Sequence, residues 1–180
     1  MKLNVAQYSP GAISETLTEE VLELIKPEHW YLDETRNRMD NLQETQSIIL
    51  RYFDNYASSR LPDYKNHIED KEIYNVYRET IEKIKVELKK HYDFSNYMVF
   101  LAKLLPKSQV GFHVDTGRFL GACHRIHIPL KTNDQVLYII ENVPYKWTKN
   151  NIYEFDNTRI HGVTNNSDQE RIHLMFNLFP

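Results

Sequence analysis

Apolar residues change their period part-way along the chain, near residue 95. Before that point the spacing is mainly helical. Leu17, Val21, Leu24 and Ile25 recur at helical intervals behind Thr16-x-x-Glu19, a capping box, and stop at Pro27. Ile73, Tyr77, Ile81, Ile84 and Leu88 form one stripe of a longer helix that Asp70 can cap. Its opposite face, with Glu79, Glu82, Lys83, Glu87 and Lys90, reads as a solvated surface. Between these helices, Ser47 to Phe53 is short and rich in isoleucine, and predicts a strand near 46–53. Ser58, Ser59, Pro62 and Asp63 mark 56–68 as a loop.

After residue 95 the pattern predicts short strands at 97–103, 109–115, 124–130, 136–141, 151–156, 160–164 and 170–178. Turn-forming clusters separate them, among them Pro106-Lys107-Ser108, Thr132-Asn133-Asp134 and Asn165-Asn166-Ser167-Asp168. Many short strands at this spacing imply a sandwich or barrel with the N-terminal helices packed outside. Two strands add a further clue. In 124–130, Arg125, His127 and Pro129 alternate with Ile126, Ile128 and Leu130. In 170–178, Arg171, His173, Met175 and Asn177 alternate with Ile172, Leu174, Phe176 and Leu178. Polar faces built from Arg and His suggest a liganded barrel interior, with the apolar faces buried under the helices.

Composition narrows the function classes. At 180 residues the expectation is one domain, 1–180, with 1–95 as mostly helical support and 96–180 as the core carrying the site. A net charge of -3, from 22 basic and 25 acidic residues, leaves no footprint for nucleic acid. No apolar run reaches the roughly 20 residues a membrane span needs, and Met1-Lys2-Leu3-Asn4 does not begin a signal peptide. The one cysteine, Cys123, fits a reducing compartment, so a cytoplasmic protein without a membrane partner is expected. There is no Gly-rich phosphate loop, no Gly-x-Ser-x-Gly elbow and no Cys-x-x-Cys.

What remains is a polar series: His113-x-Asp115, Arg125-x-His127, His161 and Arg171. His113 and Asp115, at i and i+2 of a strand, point the same way and can share one metal. About one His-x-acid pair arises by chance in a chain of this composition, so the pair alone is a weak signal. His161 strengthens it. A hairpin closed by a three- or five-residue loop near Asn166 puts His161 opposite Arg171 on the same face; a two- or four-residue loop puts them on opposite faces. Two histidines and one carboxylate on one face of an iron leave the other face open for a co-substrate and oxygen. Arg125 and Arg171, if inward, need anionic partners, because a buried unpaired charge is expensive, and guanidinium holds a carboxylate at two points. The commoner role for any single buried histidine is as a satisfied core residue. Trp147 and Phe155 read as core, Asp156-Asn157 as a turn leading to His161, Cys123 and His124 as structural, and His173 as lumen-facing. His29, His67 and His91 read as surface or packing residues.

The string Arg-Ile-His-Ile-Pro-Leu-Lys-Thr-Asn at 125–133, then Trp147, Phe155-Asp156-Asn157, His161-Gly162-Val163-x-Asn165 and Arg171-Ile-His-Leu, resembles the aspartyl/asparaginyl β-hydroxylase family. Trp30, Arg36, Arg38 and the segment from Gln46 are similar to that family's lead-in segments. The resemblance implies a double-stranded β-helix, a jelly-roll (cupin-like) barrel, mainly β with flanking α. It implies iron(II), 2-oxoglutarate and O2, with His113, Asp115 and His161 as metal ligands and catalytic centre. It gives Arg171 the distal carboxylate of 2-oxoglutarate, and Arg125 and His127 its other end. Asp115 departs from the animal aspartyl hydroxylases, which lack the acidic ligand, and is similar to small bacterial members, including those that hydroxylate free proline. The expected function is hydroxylation of an amino-acid side chain: an Asp/Asn-type residue in a protein or peptide, or a free amino acid such as proline. The alternative of another class is a non-enzymatic cupin-like metal- or ligand-binding module.

Overall fold

The computed structural model describes residues 6–33, 42–117 and 119–180. Arg36 and Arg38 lie outside the described residues. In chain order the elements are β1 (Gln7–Ala12), α1 (Glu15–Glu23), β2 (Thr45–Phe53), β3 (Ile68–Asp70), α2 (Tyr74–Leu88), β4 (Asn96–Leu104), β5 (Ser108–His113), β6 (His124–Lys131), β7 (Val136–Ile140), β8 (Val143–Tyr145), β9 (Asn151–Phe155), β10 (His161–Asn165) and β11 (Arg171–Phe179). They form a seven-stranded sheet, β1-β9-β6-β11-β4-β2-β3, and a four-stranded sheet, β5-β10-β7-β8. Every pairing is antiparallel. From β4 onward the chain passes back and forth between the two sheets. The result is a mainly β jelly-roll barrel with two flanking helices, as expected.

The larger sheet is buried on both faces, for different reasons. Its outer face presents Ile126, Ile128, Leu130, Ile172, Leu174, Phe176 and Leu178 to the helices. There Val21 of α1 and Tyr77, Ile81, Ile84 and Leu88 of α2 complete one apolar core. Burying such side chains contributes roughly 1.5–3 kcal/mol each, which makes this layer the main source of stability. The inner face looks into the barrel and is polar at β6 and β11.

Local signals were displaced in three places. The α1 cap is Ser14, whose hydroxyl accepts from the Leu17 N–H, two residues before Thr16. The helix also ends at Glu23, short of Pro27. Asp70 does not cap α2; it sits on β3, paired with Arg51 and, at 2.9 Å, with Arg78. Of the charged α2 face, Glu82 turns partly inward and accepts hydrogen bonds from Tyr74 and Tyr97 at 2.9 Å. The segment 56–68 folds mostly into two short 3-10 turns, Tyr56–Arg60 and Tyr64–His67. Among the described residues no helix is long and apolar enough to cross a membrane.

Candidate active site

The metal-type donors reach one point because a strand is interrupted. At its far end β5 pairs with β10 in one register, Val110 opposite Val163; at its near end His113 stands opposite His161. One extra residue in β5 absorbs the difference, a β-bulge at Gly111 and Phe112. In the unshifted register Phe112 would face His161; the bulge turns His113 inward and leaves Phe112 more than half exposed. Gly162, packed beneath, leaves little room for a side chain: an added Cβ would lie 3.0 Å from the Val110 carbonyl.

Asp115 is not on the strand. β5 ends at His113, and Asp115 arrives by a loop whose backbone N–H donates to the Asn157 carbonyl at 3.0 Å. Donor atoms of His113, Asp115 and His161 lie within 4.8 Å of one another. Each histidine is fixed from behind. The Nδ1–H of His113 donates to the Gly111 carbonyl and that of His161 to the Arg159 carbonyl, both at 2.8 Å. A carbonyl only accepts, so the proton must sit on Nδ1, and Nε2 keeps its lone pair for the cavity.

His161 and Arg171 are not hairpin partners. β10 lies in the smaller sheet and β11 in the larger one. They meet because both sheets line the same lumen, a cavity of about 320 Å³ bordered by His113, Asp115, Arg125, His127, His161 and Arg171. All six predicted residues therefore converge, although the loop-length argument for His161 and Arg171 does not apply.

Charge within the lumen is out of balance. Arg171 is 4 % exposed, and the described residues provide no hydrogen-bond acceptor for its Nε. Burial lowers its pKa, yet a guanidinium begins so high that it remains a cation. Arg125 Nη1 donates to Asn177 Oδ1 at 3.1 Å, and its Nε lies 3.3 Å from Asp115 Oδ2, in ion-pair range though not aligned as a hydrogen bond. Burial pushes the Asp115 carboxyl up, but Arg125, His113 and His161 outweigh it and hold the group well below the usual carboxylate range. Asp115 in turn raises His113, whereas burial lowers His161.

Deeper in, His127 and His173 share a contact of 3.4 Å between their Nδ1 atoms, and each lies 3.4 Å from the Tyr138 hydroxyl. Burial, reinforced by the nearby arginines, pushes both imidazoles well down, so they are neutral. Their Nε2 atoms have no partner among the described residues. Trp147 stacks on Tyr138 at 3.7 Å between centroids, and Phe155 lies 4.8 Å edge-on to His161. Both are core residues, as expected, and Phe155 also borders the cavity. Cys123 is buried in an apolar cluster, whereas His124 pairs with Glu154 at 2.7 Å.

A sequence model of the aspartyl/asparaginyl β-hydroxylase family matches residues 14–180. The chain belongs to that family. It is an iron(II)- and 2-oxoglutarate-dependent dioxygenase. No curated protein sequence matches the chain. Solved structures with the same fold include a prolyl hydroxylase from Trichoplax adhaerens in complex with a hypoxia inducible factor peptide fragment. It has a TM-score of 0.63 and 12% identity, over 98% of this chain and 84% of that one. A prolyl-4-hydroxylase from Pseudomonas putida gives 0.58 and 9% over 98% and 93%. A viral collagen prolyl hydroxylase from Paramecium Bursaria Chlorella virus-1 gives 0.52 and 10% over 98% of each chain.

The donor set suits the family's metal and co-substrate. Two imidazoles and one carboxylate leave coordination positions open, and the unpartnered Arg171 Nε–H calls for an acidic ligand. Three residues that sequence reasoning passed over also belong here. Tyr138 faces inward between Val136 and Ile140, a period that marks its hydroxyl as internal. Asn177 braces Arg125. Asn157, expected only to form a turn, holds Asp115.

Proposed function

We propose that this hydroxylase acts on an aliphatic carbon of an amino-acid side chain, and that His113, Asp115 and His161 hold its iron. The supporting observation is the pairing in one cavity of three metal-type donors with a buried guanidinium whose Nε lacks an acceptor among the described residues. Bound there, iron(II) with 2-oxoglutarate and O2 supplies the oxidising power to insert oxygen into an unactivated C–H bond.

The chain's own residues do the rest. His113 and His161 present Nε2 lone pairs whose direction is set by their Nδ1–H bonds to backbone carbonyls. Arg171 takes the distal carboxylate of 2-oxoglutarate, and charge pairing repays the cost of its burial. His127 offers its orphaned Nε2 toward the other end of that acid, and Tyr138 holds His127 in place. Arg125, expected with His127 to help hold the other end of 2-oxoglutarate, also faces Asp115 and Asn177, so it steadies the acidic ligand as well.

The cavity is also bordered by Tyr52, Val114, Phe119, Leu120 and Met175. Exposed Phe112 and Ile160 lie beside the metal-type histidines in sequence. These walls favour an apolar side chain such as the pyrrolidine ring of proline, in a peptide or as the free amino acid, and they keep water from the reacting carbon. A second reading, an Asp/Asn-type residue, is supported by the family description and by Arg125 on the cavity wall, which a substrate carboxylate could share with Asp115. Succinate release and a mass gain of one oxygen, measured over free proline and short peptides bearing Pro, Asp or Asn, separate the readings. Turnover of proline substrates supports the apolar one; turnover confined to Asp or Asn peptides rejects it.

A further inference from the structure

Asn157 lies between β9 and β10, four positions before His161, and is 2 % exposed. Its side-chain amide donates to Asp115 Oδ2 at 3.2 Å and to the Leu120 carbonyl at 3.0 Å. Its own backbone carbonyl accepts the Asp115 N–H at 3.0 Å. One residue thus bonds both the backbone and the carboxylate of Asp115, and also ties down a second point of the loop that carries it. The ties run to the segment that delivers His161, so the two donor-bearing segments are fixed against each other.

Resting on the ligand set proposed above, we infer that Asn157 is a positioning residue that decides which oxygen of Asp115 faces the metal. Oδ2 receives the Asn157 N–H and stands 3.3 Å from Arg125 Nε. Oδ1 lies 3.6 Å from His113 Nε2, on the side where the three donors converge. A carboxylate on a loop lacks the rigid backbone of a strand and can turn both oxygens toward Arg125. A neutral amide on Oδ2 stops that rotation without adding a second cation beside the metal. Partners of this kind typically change metal affinity by about 10–100-fold when removed. A residue that only shaped the turn at 156–158 would change stability and leave metal affinity alone.

The test uses Co(II) alone, titrated calorimetrically into the full-length protein freed of metal. The variants are Asn157→Ala, Asn157→Leu (which fills the amide's shape without its donors), Asp115→Ala and the Asp115→Ala/Asn157→Ala double variant, each first shown to be folded by circular dichroism. The leucine variant keeps the measurement available if alanine unfolds the loop. Expected is about 10–100-fold weaker Co(II) binding for either Asn157 variant, and less than about threefold further loss when Asn157→Ala is added to Asp115→Ala, because the effect passes through Asp115. Wild-type affinity in the Asn157 variants overturns the inference, as does an undiminished loss in the Asp115→Ala background. Failure of the ligand set itself shows separately, as unchanged Co(II) affinity in His113→Ala and His161→Ala.

Discussion

The two faces of β11 are equally buried and chemically opposite. Ile172, Leu174, Phe176 and Leu178 pack into the helix-covered core, while Arg171, His173 and Asn177 face the lumen at 4 % exposure or less. Burial therefore does not distinguish scaffold from site; hydrogen-bond satisfaction does. Behind the sheet, buried polar groups find partners: His29 meets the Tyr77 hydroxyl at 2.8 Å and Thr18 bonds Asn150 at 2.7 Å. Of six orphaned buried side-chain atoms among the described residues, five are on the inner face, from Ser47, Arg125, His127, Arg171 and His173. Native proteins leave few such atoms, and three of the five, on Arg125, His127 and Arg171, border one cavity, which marks the place where a polar ligand belongs.

This contrast can be broken from either side. Phe176→Ala on the outer face should cost about 3–5 kcal/mol of unfolding free energy, while the folded fraction binds metal as before; denaturant titration with a parallel metal titration reads both. Arg171→Met should behave in the opposite way. It removes a buried cation with no anionic partner among the described residues, so apo-protein stability holds or rises, whereas affinity for 2-oxoglutarate falls by about 2–5 kcal/mol, thirtyfold or more. A stability loss comparable to that of Phe176→Ala would make Arg171 a structural residue.

The lumen should also titrate. His127 and His173 are held neutral in the folded state below the ordinary imidazole value of 6.5. Unfolded chains bind those protons first as pH falls. Their contribution is therefore complete above pH 6.5 and is lost below it, by up to about 1.4 kcal/mol per pH unit for each imidazole. His161 acts in the same direction, and His113, raised by Asp115, offsets part of it. Chemical denaturation of the apo-protein between pH 7.5 and 5 should show the decline, and a His127→Phe/His173→Phe variant should flatten it. The smallest effect belongs to the support layer: Ser14→Ala removes the α1 cap, costs about 0.5–1 kcal/mol and leaves metal affinity unchanged.

Much of this organisation was legible in the sequence, and the gaps have physical causes. The strands from residue 96 onward alternate cleanly because one side meets oil and the other the lumen, which fixed their positions almost to the residue. β1, β3 and β8 gave no such signal. All three are edge strands; β1 carries Pro10 and Gly11 beside a register shift, β8 carries Pro144, and β3 is three residues long. The six site residues were legible as chemistry, and alternation placed Arg125, His127 and Arg171 inward, but the routes that bring the set together were not legible. His113 faces inward through a bulge, Asp115 through a loop, and Arg171 from the other sheet. Strand parity records none of these. Asn157 was hidden for a similar reason: a side chain that braces a ligand looks, in sequence, like any turn asparagine.

The central claim is that the orphaned lumen is a joint site for metal and 2-oxoglutarate. Adding iron(II) and 2-oxoglutarate to the apo-protein without oxygen, and recording the visible spectrum, tests it directly. A weak charge-transfer band that needs both additions and disappears in Asp115→Ala and Arg171→Ala is the expected result. Iron that binds with no band on adding 2-oxoglutarate, or a band that survives both substitutions, would contradict the account.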